Sequence, residues 1–90
     1  MILATITVED FDRFFKIFST KGAEKRKQHG SRGALVFRDL NDANRVWAVF
    51  DWDESGFQSF ISDPEALPIM NEAGLRGRPQ PLTLAGRCGA

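Results

Sequence analysis

The sequence has no tyrosine, one cysteine and one histidine in 90 residues. The lone Cys88 excludes an internal disulfide, and no His/Cys grouping has the spacing of a metal site. Net charge is zero, from 12 basic and 12 acidic residues, so no overall field draws the chain to nucleic acid or to a membrane surface. No apolar run approaches the roughly 20 residues of a membrane span. The opening MILATITVED lacks the basic start and full apolar core of a secretory signal. There is no nucleophile elbow, and Gly30 and Gly33 are too sparse for a phosphate-binding loop. These absences predict a soluble cytoplasmic protein with no metal and no cofactor.

What is present is aromatic. Eight Phe and two Trp are many for the interior of so short a chain. One domain over residues 1–90 is expected, and a domain of this size buries only roughly 60 to 65% of the surface its unfolded chain exposes. Surplus rings then belong in an interface or a pocket, and association would relieve the marginal core.

Ile2 to Val8, ILATITV, alternates branched apolar residues with Thr5 and Thr7, the period of a strand. Asp10 caps a helix in which Phe11, Phe14, Phe15 and Phe18 recur at i, i+3, i+4 and i+7. Beyond Phe18 the stripe fades into a basic run, Lys21, Lys25, Arg26 and Lys27, so the helix either continues on the surface or breaks near Gly22; both readings end it at Gly30. Cations in a last turn complement the negative end of the helix dipole, and this solvated role is the favoured reading of the run.

Arg32 to Arg38 reads as a second strand, DLNDAN as its turn, and the β-branched and aromatic run from Val46 to Trp52 as a central strand. Closing this hairpin with Asp39 opposite Arg45 sets Phe37 against Trp47 and Leu35 against Val49. Asp53 then starts a helix carrying Phe57, Phe60 and Ile61 on one side. Asp63-Pro64 starts another, with a distortion expected at Pro68 and a stop at Gly74. LRGRPQ (75–80) reads as a loop, and PLTLAGR (81–87) as the last strand.

The order strand, helix, strand, strand, helix, strand is the ferredoxin-like βαββαβ arrangement, an α+β fold with a four-stranded antiparallel sheet and both helices on one face. The other face, with Thr5, Thr7, Phe37, Trp47 and Val49, is too apolar to leave wet, and a second copy of the chain is its simplest cover.

A short first strand, a Phe-rich helix, HGxxGALVFRDLNDAN, a strand ending FDWDE, SDPEAL and EAGLRGRPQPLTL together resemble small members of the dimeric α+β barrel superfamily, relatives of the antibiotic biosynthesis monooxygenase domain. The resemblance implies a homodimer closed across a two-fold axis, a pocket between sheet and helices, and activities that range from cofactor-independent oxygenation, haem degradation and lactone isomerisation to none known. It also places Phe60 where oxygenase-like members carry a histidine, and Thr5 and Thr7 where haem-degrading members carry an asparagine.

Several residues are candidates for chemistry. His29 alone titrates near neutrality without help, so it is the candidate general base; with no partner residue type in reach by sequence, a helix-terminal cation is the favoured alternative. Asp51 is a candidate base if buried, and Arg38 can orient a polar or anionic ligand, against an ion-pair role for both. Trp47, Trp52 and Phe37 are the candidate ligand-binding aromatics, with core packing favoured for Trp52. The sequence therefore predicts a homodimer of the dimeric α+β barrel type binding a small apolar or aromatic molecule beside Trp47 and Phe37. The alternatives are a cofactor-independent monooxygenase or isomerase and, last, an RRM-like RNA-binding module, whose K/R-G-F/Y-G/A-F pattern no strand carries.

Overall fold

The computed structural model describes all 90 residues. Its strands are β1 (Ile2–Val8), β2 (Ala34–Arg38), β3 (Arg45–Phe50) and β4 (Leu75–Thr83). Between β1 and β2 run α1 (Phe11–Ile17), a wide π turn (Phe18–Gly22) and α2 (Ala23–Gln28); between β3 and β4 run α3 (Glu54–Ile61) and α4 (Ala66–Glu72). The strands pair antiparallel in the order β2-β3-β1-β4. This is the ferredoxin-like fold expected, with each helical passage divided in two.

The divisions have local causes. Ser19 Oγ and Thr20 Oγ1 donate to the carbonyls of Phe15 and Lys16, both at 2.6 Å. Those oxygens also serve the helical ladder, and such back-bonding widens or bends a helix. In the second passage Asp63 Oδ1 accepts from the Glu65 N–H at 2.8 Å, which ends α3 and turns the chain into α4. Asp10 and Asp53 cap α1 and α3 as their positions suggest, accepting from Arg13 N–H and Gly56 N–H.

Ile2, Ala4, Ile6 and Val8 of β1 and Val46, Ala48 and Phe50 of β3 point beneath the helices and are buried. Phe14, Trp52, Phe57, Phe60, Ala66 and Ala73 close over them. Ala4 pairs with Ala48 in the two central strands, both fully buried on the helix-covered face. On the other face Phe37 pairs with Trp47 and Leu35 with Val49, the register expected from the hairpin. Leu3 and Leu82 extend that row, and Leu35, Leu82 and Phe37 are 63%, 58% and 52% exposed.

Two expectations need correction. Residues 75–80 are not a loop, because β4 begins at Leu75 directly after Gly74, whose φ of +75° ends α4. Between Thr5 and Thr7 of β1, β4 advances from Gln80 to Arg76, so it bulges at Gly77, where φ is +79°. β4 is an edge strand, where the N–H that Pro79 and Pro81 lack is tolerated, and it ends at Thr83, short of the Arg87 expected. Pro68 causes no break, since it is the third residue of α4, where the N–H has no intrahelical partner in any case. No helix is long and apolar enough to cross a membrane.

Candidate functional site

Between sheet and helices lies a cavity of about 50 Å³. Its walls come from every layer: Phe14 and Phe18 from the first helical passage, Phe50 and Trp52 from the end of β3, Phe57 and Phe60 from α3. Trp52 meets Phe50, Phe57 and Phe60 with ring centroids 5.4–5.6 Å apart in edge-on geometry, the arrangement that aromatic quadrupoles favour. Its Nε1 donates to the His29 carbonyl at 2.8 Å, so the indole is satisfied and fixed.

One charged side chain enters this lining. Arg26 of α2 is 7% exposed, and its guanidinium lies flat over Phe18, 3.8 Å from the ring centroid. Nη2 donates to the Phe18 carbonyl at 2.9 Å. Burial pulls the guanidinium pKa down to about 10. Gly22 makes the seat, since a Cβ there would stand 3.0 Å from Arg26 Nη1.

Arg26 was assigned by sequence to a solvated helix end. Phe18, Gly22 and Arg26 step by four residues, and at α-helical pitch each step drifts about 40° round the axis. The wide turn from Phe18 to Gly22 slows that rotation and returns Arg26 to the apolar side. The spacing of four was a signal; the π turn that gives it meaning was not visible.

The residues singled out from the sequence fall in three places. Trp52 lines the cavity. Phe37 and Trp47 are cross-strand neighbours on the opposite face of the sheet, where Trp47 Nε1 reaches Asp39 Oδ2 at 3.4 Å. His29, Arg38 and Asp51 lie at the periphery and line no part of the cavity. Arg38 stacks over Phe11 with 4.3 Å to the ring centroid. Asp51 pairs with exposed Arg32 at 2.9 Å, which holds its carboxyl below the ordinary range.

His29 has the partners that sequence distance concealed. Its Nε2 is 2.8 Å from Asp63 Oδ2 and its Nδ1 2.7 Å from Ser59 Oγ. An ionised carboxylate only accepts, so Nε2–H donates to Asp63, while Nδ1 pairs with the Ser59 hydroxyl. Lys25 Nζ is 3.1 Å from the same Asp63 oxygen and 2.6 Å from Glu65. The Glu65 N–H first, and then His29, hold the Asp63 carboxyl down to about 2. The Ser-His-Asp line is a tie between helices. Ser59 lies in the body of α3, past the first four residues whose N–H groups a helix leaves free, so its own helix supplies no free N–H for an oxyanion.

No protein-family model and no curated protein matches the sequence. Among solved structures, SnoaB, a cofactor-independent oxygenase from Streptomyces nogalater, superposes with a TM-score of 0.70 at 19% identity, over 96% of this chain and 92% of its own. An antibiotic biosynthesis monooxygenase superposes with a TM-score of 0.66 at 13% identity, over 97% of each chain. A Pseudomonas aeruginosa protein gives 0.60 at 19%, over 94% and 92%. From sheet order, helix placement and these superpositions, the chain has the small α+β fold of the antibiotic biosynthesis monooxygenase proteins.

Proposed function

We propose that this protein is a homodimeric α+β barrel that takes a small apolar or aromatic molecule into the cavity between its sheet and its helices. The observation that carries this reading is the cavity itself, an interior void framed by six aromatic side chains and one guanidinium. Interiors normally pack without voids, so a void among rings is a place for a ligand. At about 50 Å³ it is smaller than a bicyclic ring, and Met70 and Ile69 of α4, which wall one side, move to admit one. The dimer covers the opposite, apolar sheet face, so cavity and interface do not compete.

The two tryptophans report the two faces separately. On titration with 1-naphthol, the indole N–H resonance of Trp52 is expected to shift while that of Trp47 stays in place. A shift of Trp47 alone would move the ligand to the open sheet face, beside Phe37, and end the cavity reading.

A second reading, a cofactor-independent monooxygenase or isomerase on the same scaffold, draws support from the likeness to SnoaB. In it, Arg26 stabilises the oxyanion of an enolised substrate in a dry cavity. His29 and Asp51 were the proton acceptors expected from sequence, and both lie outside the lining. Oxygen uptake over a quinol, abolished in Arg26→Met, would favour this reading, and no uptake would leave binding alone.

A further inference from the structure

Arg26 is a buried cation without an anion. None of the ion pairs of the chain includes it, although its neighbour Lys25 has two carboxylates. One carbonyl and two rings are its partners, with the Phe18 centroid 3.8 Å and the Phe50 centroid 5.7 Å away on different sides of the guanidinium. Burying a charge without an anion is costly, and a bound counter-anion offsets that cost.

Outside it, between the first helical passage and the edge strand β2, runs a groove of about 680 Å³. Phe15, Ala34 and Val36 belong to its apolar lining, Arg26, Lys27 and Arg32 supply its charge, and no carboxylate lines it. Phe18 and Arg26 line both this groove and the interior cavity, so they form the wall between the two. Arg32 is occupied by Asp51, which leaves Arg26 and the exposed Lys27 as the cations without a partner.

We propose that Arg26 is the anion-binding group of a single ligand site that joins the cavity to this groove, and that the ligand is a flat apolar molecule carrying one carboxylate. The proposal rests on the cavity reading above and adds the chemical class of its ligand. The apolar body lies among the rings, entering past Phe18. The carboxylate stays at the wall, where a guanidinium presents several N–H donors in one plane and matches two carboxylate oxygens at once. Lys27, on the wet side, steers the anion without discriminating among anions.

The test is calorimetric titration of the whole protein with a matched pair, 2-naphthoate and 2-naphthamide, which share a ring and differ in charge. The carboxylate is expected to bind tighter by tenfold or more, on the order of a charge-assisted hydrogen bond. Arg26→Met should bring the two affinities together, and Gly22→Ala, which pushes on Nη1 without removing the charge, should reduce the preference. Lys27→Met should change it by less than about threefold, as befits a screened surface charge. Equal affinities in the unmodified protein, or a preference that survives Arg26→Met, would overturn the anion site. Binding of the amide without any preference would leave the cavity reading standing, and binding of neither probe would overturn both.

Discussion

Trp52 Nε1 donates to the main-chain carbonyl of His29 at 2.8 Å, and this bond ties the end of the first helical passage to the strand exit from which the second begins. Gly56, in the first turn of α3, lies against the bond. A Cβ at that position would collide with Trp52 Nε1 and stand 2.6 Å from the His29 oxygen. Alanine ordinarily gains about 1 kcal/mol over glycine inside a helix. Here the neighbours are a locked ring and backbone, so Gly56→Ala is expected to destabilise by roughly 1–3 kcal/mol. Thermal unfolding would show a midpoint lowered by roughly 4–8 °C per kcal/mol. A midpoint equal to or above that of the parent would mean the indole is free to move.

Asp63 joins the two helical passages, with Lys25 and His29 of the first on one oxygen and the Glu65 N–H on the other. Its carboxyl is held at about 2 in the folded protein, against 3.8 for the ordinary group. A folded value below the unfolded one means that the contribution is complete above about pH 4 and is lost as pH falls toward 2. Urea unfolding of the parent and of Asp63→Asn should therefore differ most at pH 5–6, with the difference closing between pH 4 and 2. A difference constant across that range would assign the effect of the mutation to packing and not to the carboxylate.

Much of this arrangement is legible in the sequence, and the limits are physical. The β2–β3 register follows from the alternation of RGALVFR and RVWAVF, because slipping by one residue would expose Val46, Ala48 and Phe50 together. Caps at Asp10 and Asp53 are local hydrogen bonds, legible for the same reason. Two features depend on partners distant in the chain. His29 meets Ser59 and Asp63 across 30 and 34 residues of chain. Arg26 faces inward only because Ser19 and Thr20 widen the helix before it. A charge run reads as solvated when its period is taken as that of a regular helix, and one π turn changes the period.

Arg26 should cost the free protein stability. The fall of its pKa to about 10 on burial corresponds to roughly 3 kcal/mol of lost hydration. Its bond to the Phe18 carbonyl returns about 1 kcal/mol and its stacking on Phe18 about 1 more. Methionine fills similar space without a charge, so Arg26→Met is expected to stabilise by about 1 kcal/mol, seen as a higher urea midpoint at unchanged slope. A large loss of stability would show that the guanidinium is a structural strut.

The apolar face of the sheet sets the last expectation. Leu35 stands opposite Val49 and Phe37 opposite Trp47, with Leu3 and Leu82 continuing the row, and nothing in the chain covers them. Light scattering during size exclusion should give twice the 10.1 kDa of one chain. Leu35→Glu places a carboxylate in the middle of that surface, where a partner would bury it unpaired. Losses of about 2 kcal/mol or more are usual at such a position, close to thirtyfold in the dissociation constant. The variant should therefore elute as a monomer at micromolar concentration while its far-ultraviolet circular dichroism stays that of the parent, because Leu35 takes no part in the helix-covered core. If the parent is itself monomeric at every concentration, the aromatic row is an open surface, and the two-fold barrel is not how this chain protects it.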